Sequence, residues 1–273
     1  MLIAGGSKCE TVSVAWALDL DGVVWLEDHP ISGSADAIAK LQDAGEQVGF
    51  VTNFSFGRRS EIAEKLERHG IDPGDGVITS SMAVATLIAP GSRVLVCGGP
   101  GIVEALEARD VDTIDAGDPA AMGVPVDAVV VGFHRSFDYE RMTVAAAAVR
   151  NGARLLGTND DATYPTRNGP IPGGGAILAS IATASGVKPE IAGKPHGPIA
   201  ELVHQLLGRT GIMVGDRPDT DGLFARTLGW EFGLVLSGVT TQEDLPVEPK
   251  PDFVANSLAE MVDQALSARD NGR

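Results

Sequence analysis

Short apolar runs that stop abruptly on small or polar residues punctuate this chain, and helical patterns separate them. The first covers residues 12–18 and stops at Asp19; a second, 48–51, stops at Thr52 and Asn53; a third, 212–214, stops at Gly215 and Asp216. Two more lie at 232–236 and 253–254. Amphipathic stretches fall between and after them at 34–44, 58–69, 198–207 and 257–266, the last with Ser257 and Glu260 at capping-box spacing. Strands that alternate with helices predict an α/β fold, a Rossmann-like parallel sheet covered on both faces. Ligands of such sheets bind beyond the carboxyl ends of the strands, and the polar residues that stop the first three runs all lie there.

The middle of the chain reads as a second α/β unit inserted into the first. Residues 93–97, 128–131 and 154–156 have the pattern of strands, and 102–108 and 139–150 that of helices. Ala89-Pro90-Gly91-Ser92 marks an entry and Ser185-Gly186-Val187 an exit. The expected division is a core of 1–89 plus 188–273 and an inserted α/β cap of 90–187.

The formal net charge of −16 lacks the basic surface that nucleic acid or anionic lipid would require. It does not oppose a small phosphate ligand, because a metal and local groups set the potential inside a pocket. No apolar run is long enough to span a bilayer and no signal-peptide pattern opens the chain, so a cytoplasmic enzyme is expected. Cys9 and Cys97 sit in no metal-binding motif and read as plain thiols.

Four elements carry chemistry. Asp19-Leu20-Asp21-Gly22 follows a buried run, so two carboxylates can face one small volume while Gly22 permits a tight turn. One carboxylate can attack phosphorus while the other handles the proton; taken alone, the same pattern is an acidic turn. Thr52 and Asn53 end the second run, where a hydroxyl and backbone donors can hold phosphate oxygens or merely form a turn. Lys194, in Gly193-Lys194-Pro195, is one of few lysines and can neutralise a nucleophile and a phosphate together, or be a solvated surface group. Gly215-Asp216-Arg217-Pro218-Asp219-Thr220-Asp221 supplies three carboxylates; Asp216 is the natural metal ligand, with Asp219 or Asp221 in reserve and a helix-cap cluster as the plainer reading. Oxygen-only ligation beside a phosphate suits magnesium.

In this order the four elements resemble the haloacid dehalogenase-like phosphatase superfamily. An insert of about a hundred residues between the second and third elements is similar to the NagD-like subclass IIA with its large α/β cap. Phe50-Val51-Thr52-Asn53, Ile78-Thr79-Ser80-Ser81, Gly157-Thr158-Asn159-Asp160 and Pro172-Gly173-Gly174-Gly175 look like the same subclass. The resemblance implies Asp19 as the phosphorylated nucleophile and Asp21 as acid/base. It implies Mg2+ held by Asp19, the Asp21 carbonyl and Asp216, with Asp221 behind them, and Thr52, Asn53 and Lys194 clasping the phosphoryl group. It further implies a cap that closes over small-molecule phosphate monoesters (sugar, glycerol or nucleotide phosphates, with 4-nitrophenyl phosphate as an artificial substrate) and a homodimer formed through that cap.

Two positions depart from the subclass. Tyr164, before Pro165, stands where pyridoxal phosphatase-like relatives carry a substrate-contacting histidine. Phe54 replaces a common asparagine; its ring can narrow the pocket mouth or pack under the adjacent loop. Gly98-Gly99-Pro100-Gly101 fails dinucleotide-binding spacing and reads as a turn. A non-catalytic phosphate-binding regulator on the same fold is the alternative; it would not require both aspartates, Lys194 and Asp216 together.

Overall fold

The computed structural model describes residues 14–164, 166 and 169–271. Cys9, the start of the first apolar run (Val12 and Ser13) and Pro165 lie outside the described residues. In chain order the strands that build the two main sheets are β1 (Ala15–Leu18), β2 (Gln47–Thr52), β3 (Val77–Thr79), β4 (Arg93–Cys97), β5 (Asp112–Asp115), β6 (Ala128–Val131), β7 (Arg154–Gly157), β8 (Glu190–Ile191), β9 (Gly211–Gly215), β10 (Glu231–Val235) and β11 (Phe253–Ala255).

All four residues of β1 are buried, because successive side chains point to opposite faces and both faces are covered. Trp16 and Leu18 pack with Ile38 and Leu41 of the helix Ser34–Asp43 and with Leu258 and Val262 of the helix Leu258–Asn271. Ala15 and Ala17 face the other way, onto Ile199 and Val203 of the helix Gly197–Leu207. Such strands read as unbroken apolar runs, which is why the sequence pattern found them. The sheet order is β11-β10-β9-β1-β2-β3, parallel throughout. Its register sets Leu18 opposite both Val214 and Phe50, so Asp19, Thr52 and Asp216 emerge at one edge.

The second sheet, β8-β7-β6-β4-β5, is also parallel. One of its faces, through Val94, Val96, Val130 and Leu156, shares a single buried cluster with Ala17 and Val51 of the first sheet. The opposite face packs Val129, Val131 and Leu155 under Val144, Val149 and Ile181 of its own helices. Its last strand, Glu190–Ile191, lies beyond the turn at 185–187; two residues are too few to display a strand period. Cys97 lies inside, where burial pushes its thiol up to about 12, as an unreactive thiol requires.

One local expectation changes. Ser257 Oγ accepts from Glu260 N at 3.4 Å, but the Glu260 carboxylate accepts from Asn256 N and Asn256 Nδ2 instead of returning to Ser257. The reciprocal arm of the capping box is thus displaced by one residue, with the Asn256 main chain and carboxamide both donating to the one carboxylate oxygen. Among the described residues no helix is long and apolar enough to cross a membrane.

Candidate active site

The site is built where the strands of the first sheet end. Asp19 still belongs to the ladder, its N–H donating to Val214 O at 2.9 Å. The chain then folds back: Val24 N and Trp25 N both donate to Leu20 O, and Gly22 N donates to Trp25 O at 2.7 Å. Gly22 has φ +85°, and a Cβ there would stand 2.3 Å from Asp216 Oδ2. Glycine is therefore demanded twice, by conformation and by the neighbouring carboxylate.

Lys194 is the centre of the charge arrangement. Only 2% exposed, it places Nζ 2.7 Å from Asp19 Oδ1 and 2.7 Å from Asp221 Oδ1. Burial works against its charge, yet the two carboxylates outweigh that and hold its pKa above the ordinary lysine value. Asp221 sits on a π-helical turn, Pro218–Gly222, and its other oxygen accepts from Arg217 N at 3.1 Å. Such turns recur at functional sites because they re-aim one side chain. Asp219 falls outside the cluster, pairing with Arg217 at the surface.

Asp216 accepts from Val239 N through Oδ2 at 2.6 Å, while its buried Oδ1 has no hydrogen-bond partner. Burial, then the Asp221 charge, push its pKa up to about 7. Asp19 is raised as well, by burial. Ligand atoms of Asp19, Asp216 and Asp221 lie within 4.8 Å of one another. Three carboxylates against one ammonium leave two negative charges uncompensated, the charge of one divalent cation, and the orphaned Asp216 oxygen offers a hard donor for it. The residues present therefore fit such an ion. Asp21 is half-buried beside them; burial raises its pKa against the pull of Lys65.

A cavity of about 290 Å³ opens from this cluster, lined by Asp19, Asp21, Thr52, Lys194 and Asp216 at its floor. All the expected site residues reach it, Asn53, Phe54, Tyr164 and Asp221 included. The Thr52 hydroxyl accepts from Phe54 N at 3.0 Å. The Asn53 carboxamide is engaged with protein, accepting from Lys194 N at 2.8 Å and donating to Lys194 O and Asp161 Oδ2 at 3.0 Å each. Phe54 and Tyr164 form the cavity mouth together with Phe133, their ring centroids 5.5–6.4 Å apart.

The loop that follows Asn53 is locked to the second sheet. Ser55 Oγ accepts from Phe133 N at 3.2 Å and lies 3.1 Å from Thr158 Oγ1, and Gly101 N donates to Phe56 O at 3.0 Å. A Cβ on Gly101 would stand 2.0 Å from Gly57 O. The glycine-rich turn that fails as a dinucleotide motif is thus an interface element. His196 bonds Asp160 at 3.1 Å and takes the N-cap position at the start of the helix Gly197–Leu207.

Phe133, Asn159 and Asp161 also line the site, and sequence reasoning passed over them as site residues. The strand-end rule that picked out Asp19 and Asp216 applies equally to the second sheet. There 128–131 stops at Gly132-Phe133, and 154–157 stops at Thr158-Asn159-Asp160-Asp161.

Fold and site together define a two-sheet α/β protein whose buried carboxylate–lysine cluster stands at the strand ends of one sheet beneath a second. Residues 16–112 match the family of haloacid dehalogenase-like hydrolases, and residues 191–261 match a second HAD-hydrolase-like family. The chain is 34% identical over 256 residues to an acid sugar phosphatase of Staphylococcus saprophyticus, covering 91% of this chain and 96% of that one. It superposes on a p-nitrophenyl phosphatase from Archaeoglobus fulgidus with TM-score 0.84 and 32% identity, over 92% of this chain and 99% of that one. A glycerol phosphate phosphatase from Mycobacterium tuberculosis, solved in complex with magnesium, superposes with TM-score 0.81 and 31% identity over 91% and 76%. The chain belongs to the haloacid dehalogenase-like hydrolases and groups there with the phosphoric monoester hydrolases of the NagD-like branch.

Proposed function

We propose that this chain hydrolyses small-molecule phosphate monoesters through a phosphorylated Asp19, with magnesium as its metal. The observation that carries the reading is the Asp19–Lys194–Asp221 chain of contacts beside an unpartnered Asp216 oxygen. Asp19, Asp216 and the Asp21 main chain would hold the ion, with Asp221 behind them; when bound, it supplies charge neutralisation for nucleophile and phosphate. That the M. tuberculosis relative was solved with magnesium supports this choice.

Asp19 attacks phosphorus, and the P–O bond to the alcohol breaks as Asp21 gives the departing oxygen a proton. Asp21 then takes a proton from water, whose oxygen attacks phosphorus and frees Asp19 and inorganic phosphate. A raised Asp21 pKa suits this double duty. Lys194 stays charged throughout, holding Asp19 in place and facing the transferring phosphoryl group. The Thr52 hydroxyl faces that group too, and Asn53 adds its main chain because its carboxamide is spent on Lys194.

The second sheet closes the site and selects the alcohol. Phe54, Phe133 and Tyr164, with the exposed Leu26 and Val239, give the mouth an apolar wall. That wall supports esters whose alcohol carries a flat apolar face over bare polyols. Phosphate release from a panel of small esters, with and without magnesium, tests the reading. Metal-dependent turnover abolished in a folded Asp19→Asn variant is expected; undiminished release in that variant would remove Asp19 as the nucleophile.

A further inference from the structure

Lys194 is held at two ends. Its Nζ is fixed by Asp19 and Asp221, and its peptide is fixed by Asn53. The orientation of the Asn53 carboxamide follows from chemistry. Lys194 N is a donor and so demands Oδ1, which leaves Nδ2 facing the Lys194 carbonyl and the Asp161 carboxylate, both acceptors. Gly193 makes the approach achievable: a Cβ there would stand 2.4 Å from Thr158 O and 2.5 Å from Asn53 Oδ1.

Asn53 is in turn gripped from the second sheet. Asp161 Oδ2 accepts from its Nδ2 at 3.0 Å, and Asn159 Nδ2 donates to its carbonyl at 2.8 Å. Asp161 N donates to Asn159 Oδ1 at 3.2 Å, so the two cap residues brace each other. A continuous path therefore runs from the loop after β7, through one asparagine of the first sheet, to the lysine that touches Asp19. A carboxylate acceptor makes this bond stronger than a neutral one.

We propose that Asp161 is a positioning residue for Lys194, acting through Asn53, so that the lysine takes its working place only when the second sheet is seated on the first. The proposal rests on the phosphatase reading for the role of Lys194. It differs from a substrate contact, because the relay reaches the phosphoryl side of the cavity and leaves the alcohol untouched. It differs from proton transfer too, because an acceptor alone suffices.

The test compares wild type, Asp161→Ala and Asp161→Asn with magnesium present. It uses two esters of unlike alcohol, 4-nitrophenyl phosphate and glycerol phosphate, with the folded fraction of each variant fixed by thermal melting. Reductive methylation of Lys194, read by mass spectrometry, follows the lysine independently of turnover. Asp161→Ala is expected to lower kcat by about tenfold to a hundredfold on both esters alike and to expose Lys194 to methylation. Asp161→Asn keeps an acceptor, though a neutral and weaker one, and is expected to recover most of both readouts. A loss confined to one ester or to KM would overturn the proposal in favour of a ligand contact. Equal loss in both variants would overturn it in favour of proton transfer, and an unaltered rate and unaltered methylation in the alanine variant would remove any role. If wild type releases no phosphate from any ester, the phosphatase reading fails, while Lys194 methylation still decides whether Asp161 positions the lysine.

Discussion

Lys194 Nζ and Asp19 Oδ1 lie 2.7 Å apart although their residues are 175 positions apart in the chain, one at the end of β1 and the other just after the second sheet. The ammonium favours the charged form of the proposed nucleophile, opposing a burial that still raises the Asp19 pKa. Removing the ammonium strands Asp19 and Asp221 inside the protein. Lys194→Met, which keeps most of the volume, is expected to cost about 3–5 kcal/mol of stability and to lower kcat by about a hundredfold or more. Urea unfolding and phosphate release measure the two effects; an unchanged midpoint would show that the ion pair contributes nothing to the fold.

Asp216 must lose its proton before it can hold a cation. With its pKa near 7, apparent magnesium affinity is expected to climb as pH rises from 5.5 to 7 and to level off above it. The stability linkage has the opposite sign. A raised carboxylate pKa contributes stability below the unfolded value, and that contribution is lost as pH rises through about 7. The metal-free protein should therefore melt earlier at pH 8 than at pH 5.5, and magnesium should narrow that difference by stabilising the protein more at pH 8. Calorimetric titrations across that range check both; a pH-independent affinity would contradict the assignment.

Gly101 has no room for a side chain, since its Cβ would meet Gly57 O at 2.0 Å. Gly101→Ala must push the Ser55–Gly57 loop away from the second sheet, at a cost of about 1–3 kcal/mol. Because Thr52 and Asn53 lead directly into that loop, kcat should fall as well as the melting temperature. A variant that melts early but turns over normally would show that the loop is only a structural contact.

The aromatic mouth predicts a preference among alcohols of similar basicity. Benzyl phosphate should give a higher kcat/KM than glycerol phosphate, and Phe133→Ala should erase the difference, a loss of about 0.5–1.5 kcal/mol for one aromatic contact. Equal kinetics for the two esters in wild type would show that the wall does not read the alcohol.

Much of this arrangement was legible in the sequence because parallel strands buried on both faces must be unbroken apolar runs. The residues that end them, Asp19, Thr52 and Asp216, are forced to one edge by the register. Lys194 was legible through its neighbours and its order in the chain, not through any period. Asp221 was harder, since its direct bond to Lys194 depends on a π-helical turn that no residue pattern announces. Asn53 was placed in the site, but its engagement with the Lys194 peptide arises from the docking of two sheets. Phe133 and Asp161 stood at strand ends of the second sheet, where the same rule would have found them. The two-residue strand β8 carried no period at all.

Borohydride trapping during turnover tests the nucleophile most directly. An acyl phosphate on an aspartate is reduced to homoserine, which mass spectrometry of the digested protein places at one position. With ester and magnesium present, homoserine is predicted at position 19 and absent from the Asp19→Asn variant. Steady phosphate release with no homoserine at position 19, or with homoserine at another aspartate, would contradict the proposed chemistry.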